Sequence, residues 1–201
     1  GFFSSRIIAR DKECGLDEVI STTSGGRRKL LFPKLLLPVI MGFLIYTAGM
    51  GTYIGILKHY LPANALETSA QVFERTIVPY NLGELMQKMI ILGLVGTLTV
   101  SGFTTFISSK AKRTSTAMSI TAMTIIIGFL MSTIGGLNNT SILNAIRLII
   151  PGSLVFSFYN LMVPVVSAFG KAILCFEFHL FISILMFFIS LIMASWNYVR
   201  R

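Results

Sequence analysis

Four stretches of this chain are long, apolar and nearly free of charge, and they limit its fold more than any other feature. Residues 35–57, 89–107 and 116–137 carry no Asp, Glu, Lys or Arg, and residues 173–196 carry only Glu177, with His179 nearby. A hydrocarbon layer about 30 Å thick is crossed by about 20 apolar residues of helix. With no water to take up free backbone polar groups, such segments must close their hydrogen bonds internally as helices. The expected fold is all-α, a polytopic membrane helical bundle. Composition agrees. Charged residues make up 12% of the 201-residue chain, and mean hydropathy is +0.78. A soluble domain carries about 25% charged residues.

A fifth run, residues 148–170, is uncharged and long enough to span. It holds Pro151, Gly152 and Pro164, and two breaks in one segment favour a re-entrant hairpin over about residues 142–170. The positive-inside rule leans the same way. Four spans with both ends cytoplasmic put 12 of the 17 lysines and arginines inside, and five spans put 11 there. Residues 58–88 and 138–172 are then external, and residues 108–115 form a short basic cytoplasmic turn. The net charge of +9 follows this topology and anionic lipid, so nucleic acid is not expected as a partner.

The densest charge lies in residues 1–34, read as a cytoplasmic loop ahead of the transmembrane domain at 35–201. Asp11, Glu13, Asp17 and Glu18 precede Arg27, Arg28 and Lys29. Gly15 is a helix stop. Leu16, Val19 and Ile20 follow at i, i+3, i+4 and share one helical face. Asp17 and Glu18 fall in the first turn, where negative charge suits the helix dipole. Residues 22–26, beginning with Thr22 and Thr23, form a turn that ends the helix. A helix of about two turns is not stable alone in water. Its apolar face needs a cover, which is a partner protein, the rest of this chain or the lipid interface.

The series Glu13, Gly15, Glu18, Thr23 and Arg27, followed by Lys34, resembles the cytoplasmic loop of ABC type-2 exporter permeases. Leu16 stands where that family often has threonine, and Thr23-Ser24 where it often has Thr-Pro. The resemblance runs over essentially the whole chain: loop, three spans, broken external hairpin, last span. It implies a permease subunit of an ATP-driven exporter, with the segment from Gly15 to Thr23 as a coupling helix that docks on a separate ATPase subunit. Glu13, Gly15, Leu16, Asp17, Glu18, Val19, Ile20, Thr22, Thr23, Arg27 and Arg28 would make that contact. It further implies a second permease subunit, as a homodimer or heterodimer, a multi-pass place in a bacterial plasma membrane, and two usual spans upstream of Gly1.

No catalytic motif is found. The nearest approach to a phosphate-binding loop is Gly170-Lys171, which lacks the upstream glycine and the Ser/Thr. No cofactor is expected in this chain, with ATP and magnesium belonging to the partner. Glu177 and His179 are candidates for a translocation path or for a structural role inside the membrane, and lie about 200° apart on a helix. Two histidines and two distant cysteines (Cys14 and Cys175) give no metal-binding spacing. Gly51-x-x-x-Gly55 fits helix packing, within the subunit or at a dimer seam. The alternatives are an ATP-independent transporter or channel, and a membrane scaffold or immunity protein.

Overall fold

The computed structural model describes residues 2–23, 26–69, 80–135, 149–155, 165–168 and 171–200. Three short helices, α1 (Phe2–Ile7), α2 (Ala9–Glu13) and α3 (Leu16–Thr22), lead into the long α4 (Gly26–Tyr60). Then come α5 (Leu82–Lys110), α6 (Thr114–Gly135) and α7 (Cys175–Val199). α4 to α7 are each long and apolar enough to cross a membrane. The chain forms a helical membrane bundle.

The four helices contain nearly all of the apolar runs and outlast most of them. α4 begins at Gly26, well before residue 35, and carries Pro33 and Pro38 inside it. Each proline removes one backbone bond, and a spanning helix tolerates that where neighbours cover the gap. Pro38 is buried. At 1.5 Å per residue, the 35 residues of α4 reach about 52 Å, well beyond the hydrocarbon layer.

α5 is the axis of the bundle. Over its most apolar stretch 56% of residues are buried, against 6% for α4. Its buried face is mostly small and polar, with Gly93, Gly96, Thr99, Ser101, Gly102, Thr104, Thr105, Ser108 and Ser109 beside Leu92, Val100 and Ile107. In lipid, helices gain little from burying apolar surface against each other, and small residues let backbones approach. The hydroxyls are satisfied along their own helix, as in Ser101 to the Thr97 carbonyl (2.9 Å) and Thr105 to that of Ser101 (2.7 Å). Thr99 shares its proton between the Val95 carbonyl (2.8 Å) and the Ser183 carbonyl of α7 (2.9 Å). Tyr46 of α4 donates to the Ile90 carbonyl of α5 (2.7 Å). Gly42 of α4 lies against Ser101 and Tyr46 against Gly93, so α5 runs antiparallel to α4, and Thr99 sets it alongside α7.

The sequence-based expectation for residues 142–170 needs correction in one part. Val165–Ala168 (β1) pairs antiparallel with Lys171–Leu174 (β2), which runs directly into α7. The chain is therefore not wholly helical, and α7 begins at Cys175 rather than at residue 173. Val165 and Val166 are β-branched and suit a strand.

The Pro151-Gly152 break lies where irregular backbone is hardest to place. Pro151, Gly152 and Ser153 are buried against the middle of α6. A Cβ on Gly128 of α6 would collide with the Gly152 backbone, and one on Gly152 with the Thr124 carbonyl. Ser153 closes the turn through its N–H and hydroxyl on the Ile150 carbonyl (3.0 and 2.8 Å). Non-helical backbone at this depth is stable because protein, not lipid, surrounds it. Pro164 and most of residues 142–170 lie outside the described residues.

Candidate partner-docking site

α3 is set off from α2 by a turn at Cys14 and Gly15. The Cys14 and Gly15 N–H groups donate to the carbonyls of Arg10 (2.9 Å) and Lys12 (3.3 Å). Gly15 takes φ +71°, the left-handed conformation that closes many helices and costs a side-chain-bearing residue most. Thr22 and Thr23 turn their hydroxyls back to the carbonyls of Val19 and Ile20 (2.8 Å each) and close α3.

α3 displays its apolar face. Leu16 is 49% and Val19 62% exposed, and Ile20 is half-buried. Glu18 and Thr22 are exposed beside them. Asp17 lies on the same short helix. Arg27 (half-buried) and Arg28 (exposed) are in the first turn of α4, not ahead of it. α3 thus forms a projection at the end of the molecule where α5 ends and α6 begins, with Arg27 and Arg28 at the start of α4.

Residues 8–13 fasten this projection to the spans. The Ser108 hydroxyl oxygen of α5 accepts from the N–H groups of Ile8 (3.1 Å) and Ala9 (2.9 Å), both buried. The Lys12 ammonium donates to the carbonyls of Ser109 and Ala111 (3.0 Å to Ala111), the C-terminal end of α5. Asp11 pairs with Lys34 of α4, and the Lys34 ammonium lies 5.2 Å from the Tyr198 ring of α7. Glu13 accepts from the N–H of Thr114 (3.1 Å), the first residue of α6. Thr114, with Arg113 and Arg6 adding, holds the Glu13 carboxyl below the usual carboxylate range. Within six residues the chain is bonded to the same end of α4, α5 and α6, and Lys34 carries the connection on to Tyr198 of α7.

Sequence reasoning missed this clamp. It singled out Glu13 for a partner, whereas its carboxylate caps α6. Asp11, Lys12, Lys34 and Ser108 were not singled out as a group, since Lys12, Glu13 and the Ile8–Ala9 N–H groups meet partners 97 to 101 residues away. The only local signal was the serine pair at the end of α5.

Glu177 and His179 are not brought together. Glu177 is exposed in the first turn of α7, at the opposite end of the molecule from the projection, and His179 is fully buried. Lys171 lies in β2. Gly51 and Gly55 face open space on α4. Among the described residues no three His, Cys, Asp or Glu side chains converge on a metal position. The chain matches no protein-family model, and neither curated proteins nor solved structures show significant similarity to it.

Proposed function

We propose that this chain is the permease subunit of an ATP-driven exporter of the ABC type-2 kind, with α3 as the element that docks on a separate ATPase subunit. The observation that carries this reading is the pairing of an exposed apolar knob with a rigid base. Leu16 and Val19 project from a helix too short to hold itself. The six residues before the α3 turn are bonded to α4, α5 and α6, and Lys34 of α4 reaches Tyr198 of α7. A push on such a knob is delivered directly to three spans and through Lys34 to the fourth. Leu16, Val19 and Ile20 fill a groove on the ATPase, Asp17 and Glu18 form the polar rim, and Arg27 and Arg28 sit at head groups or ATPase acids. ATP and magnesium stay on the partner, and two permeases enclose the path. In this reading the projection is cytoplasmic and the membrane is a bacterial plasma membrane.

The test is co-purification of the full-length protein with the ATPase encoded beside it. Replacing Leu16, Val19 and Ile20 with Asp is expected to abolish the complex and its stimulated ATP hydrolysis while the permease still extracts as a folded membrane protein. An intact, stimulated complex would remove α3 from the coupling role and favour an ATP-independent carrier or a scaffold.

A further inference from the structure

Arg6 and Arg10 line a cleft of about 190 Å³ with Ile7 and Asp11, outside the projection that faces the ATPase. Both arginines are exposed, and they stand four residues apart, about one helical turn, across the α1–α2 junction. The nearest carboxylates have other hydrogen-bonding partners, although Arg6 still adds to the field on Glu13. Asp11 is paired with Lys34, and Glu13 accepts from Thr114. Ile7, half-buried, gives the cleft an apolar wall.

The depth of the cleft identifies what meets it. α1 and α2 lie against Ser108–Ala111, where α5 ends, Thr114, where α6 begins, and Lys34, which reaches Tyr198 near the end of α7. Next to Tyr198, Trp196 is exposed, with the Arg200 guanidinium 4.2 Å from its ring centroid. Tryptophan, tyrosine and basic side chains at helix ends mark the head-group layer. Two exposed arginines lie at that level, and the guanidinium fork suits phosphate oxygens. Eleven of the described lysines and arginines sit at this same end, so the local field favours an anionic lipid over a zwitterionic one.

We propose that the Arg6–Arg10 cleft is a binding site for the phosphate head group of an anionic phospholipid, with Ile7 against its glycerol and upper acyl region. Such a lipid bears on the outer side of the α1–α2 clamp and steadies it against the spans. The site does not depend on the identity of the partner that α3 meets.

Native mass spectrometry of the full-length protein, titrated with phosphatidylglycerol or phosphatidylcholine, tests this. Wild type is expected to retain a tightly held phosphatidylglycerol, and R6Q/R10Q to bind it about 10- to 30-fold more weakly, at about 1 kcal/mol per basic residue. Phosphatidylcholine binding should be alike in both. K29Q/K112Q removes two charges at the same end outside the cleft and should keep the lipid, and R6K/R10K separates loss of charge from loss of fold. Phosphatidylglycerol should also raise the melting temperature of wild type and leave that of R6Q/R10Q unmoved. Equal loss in K29Q/K112Q, unchanged binding in R6Q/R10Q, or displacement of the lipid by millimolar glycerol phosphate would each overturn the site.

Discussion

At the scale of single residues, Gly15 and Glu13 carry the most consequence. Gly15 has open space where a side chain would go, so its requirement is conformational. Placing a Cβ in the left-handed region costs about 1–2 kcal/mol. Gly15→Val should therefore destabilise the α2–α3 turn by about that much and loosen docking, while Gly15→Asn should be milder. Melting temperature and complex yield check this. Glu13 gives a pH dependence with a definite sign. Its carboxyl is held low in the folded state, so its contribution is present above the unfolded carboxylate value and is lost as pH falls through the folded one. Wild type should melt higher than Glu13→Gln at neutral pH, and the difference should vanish on acidification below the carboxylate range. A difference that persists or grows at low pH would contradict the cap on α6.

At the scale of elements, the clamp and the buried turn can be broken separately. Ser108→Ala strands the N–H groups of Ile8 and Ala9 in a buried place, at a cost of about 1–3 kcal/mol for each. It should release α1 and α2 to protease at Arg6 and Arg10 while α5 stays helical. Gly152→Ala places a methyl group against the backbone of α6 and should lower the melting temperature sharply. Gly55→Ala, which meets nothing within 4 Å, should leave the isolated subunit unchanged. The elements differ in how far the sequence disclosed them. Length and lack of charge expose the spans, because the bilayer imposes both. Most of their ends, such as the start of α4 at Gly26, lie beyond the apolar runs, since a helix continues after the hydrocarbon stops. α3 was legible through the spacing of Leu16, Val19 and Ile20. The strands at Val165 and Lys171 were hidden, because an apolar run in a membrane chain reads as helix or re-entrant loop before it reads as sheet. The clamp was hidden more deeply, since bonds such as Lys12 to Ala111 join residues that no local pattern relates.

At the scale of the whole molecule, two ends of unequal character face opposite sides of a membrane. One carries most of the bases, the tied helices α1 and α2, and the knob on α3. The other carries the β1–β2 hairpin, Glu177 and the 3-10 turn at Ala63–Glu67. Between them α5 holds the bundle through contacts that are mostly small and polar. That arrangement suits a machine driven from its basic end. Its central claim is that α3 meets an ATPase. The most direct measurement places a photo-crosslinking side chain at Val19, and a second at lipid-facing Phe43, in the full-length protein produced with the proposed ATPase subunit. The account predicts an ATPase adduct from position 19 and none from position 43. Lipid adducts alone from position 19, with the ATPase bound elsewhere or not at all, would contradict it.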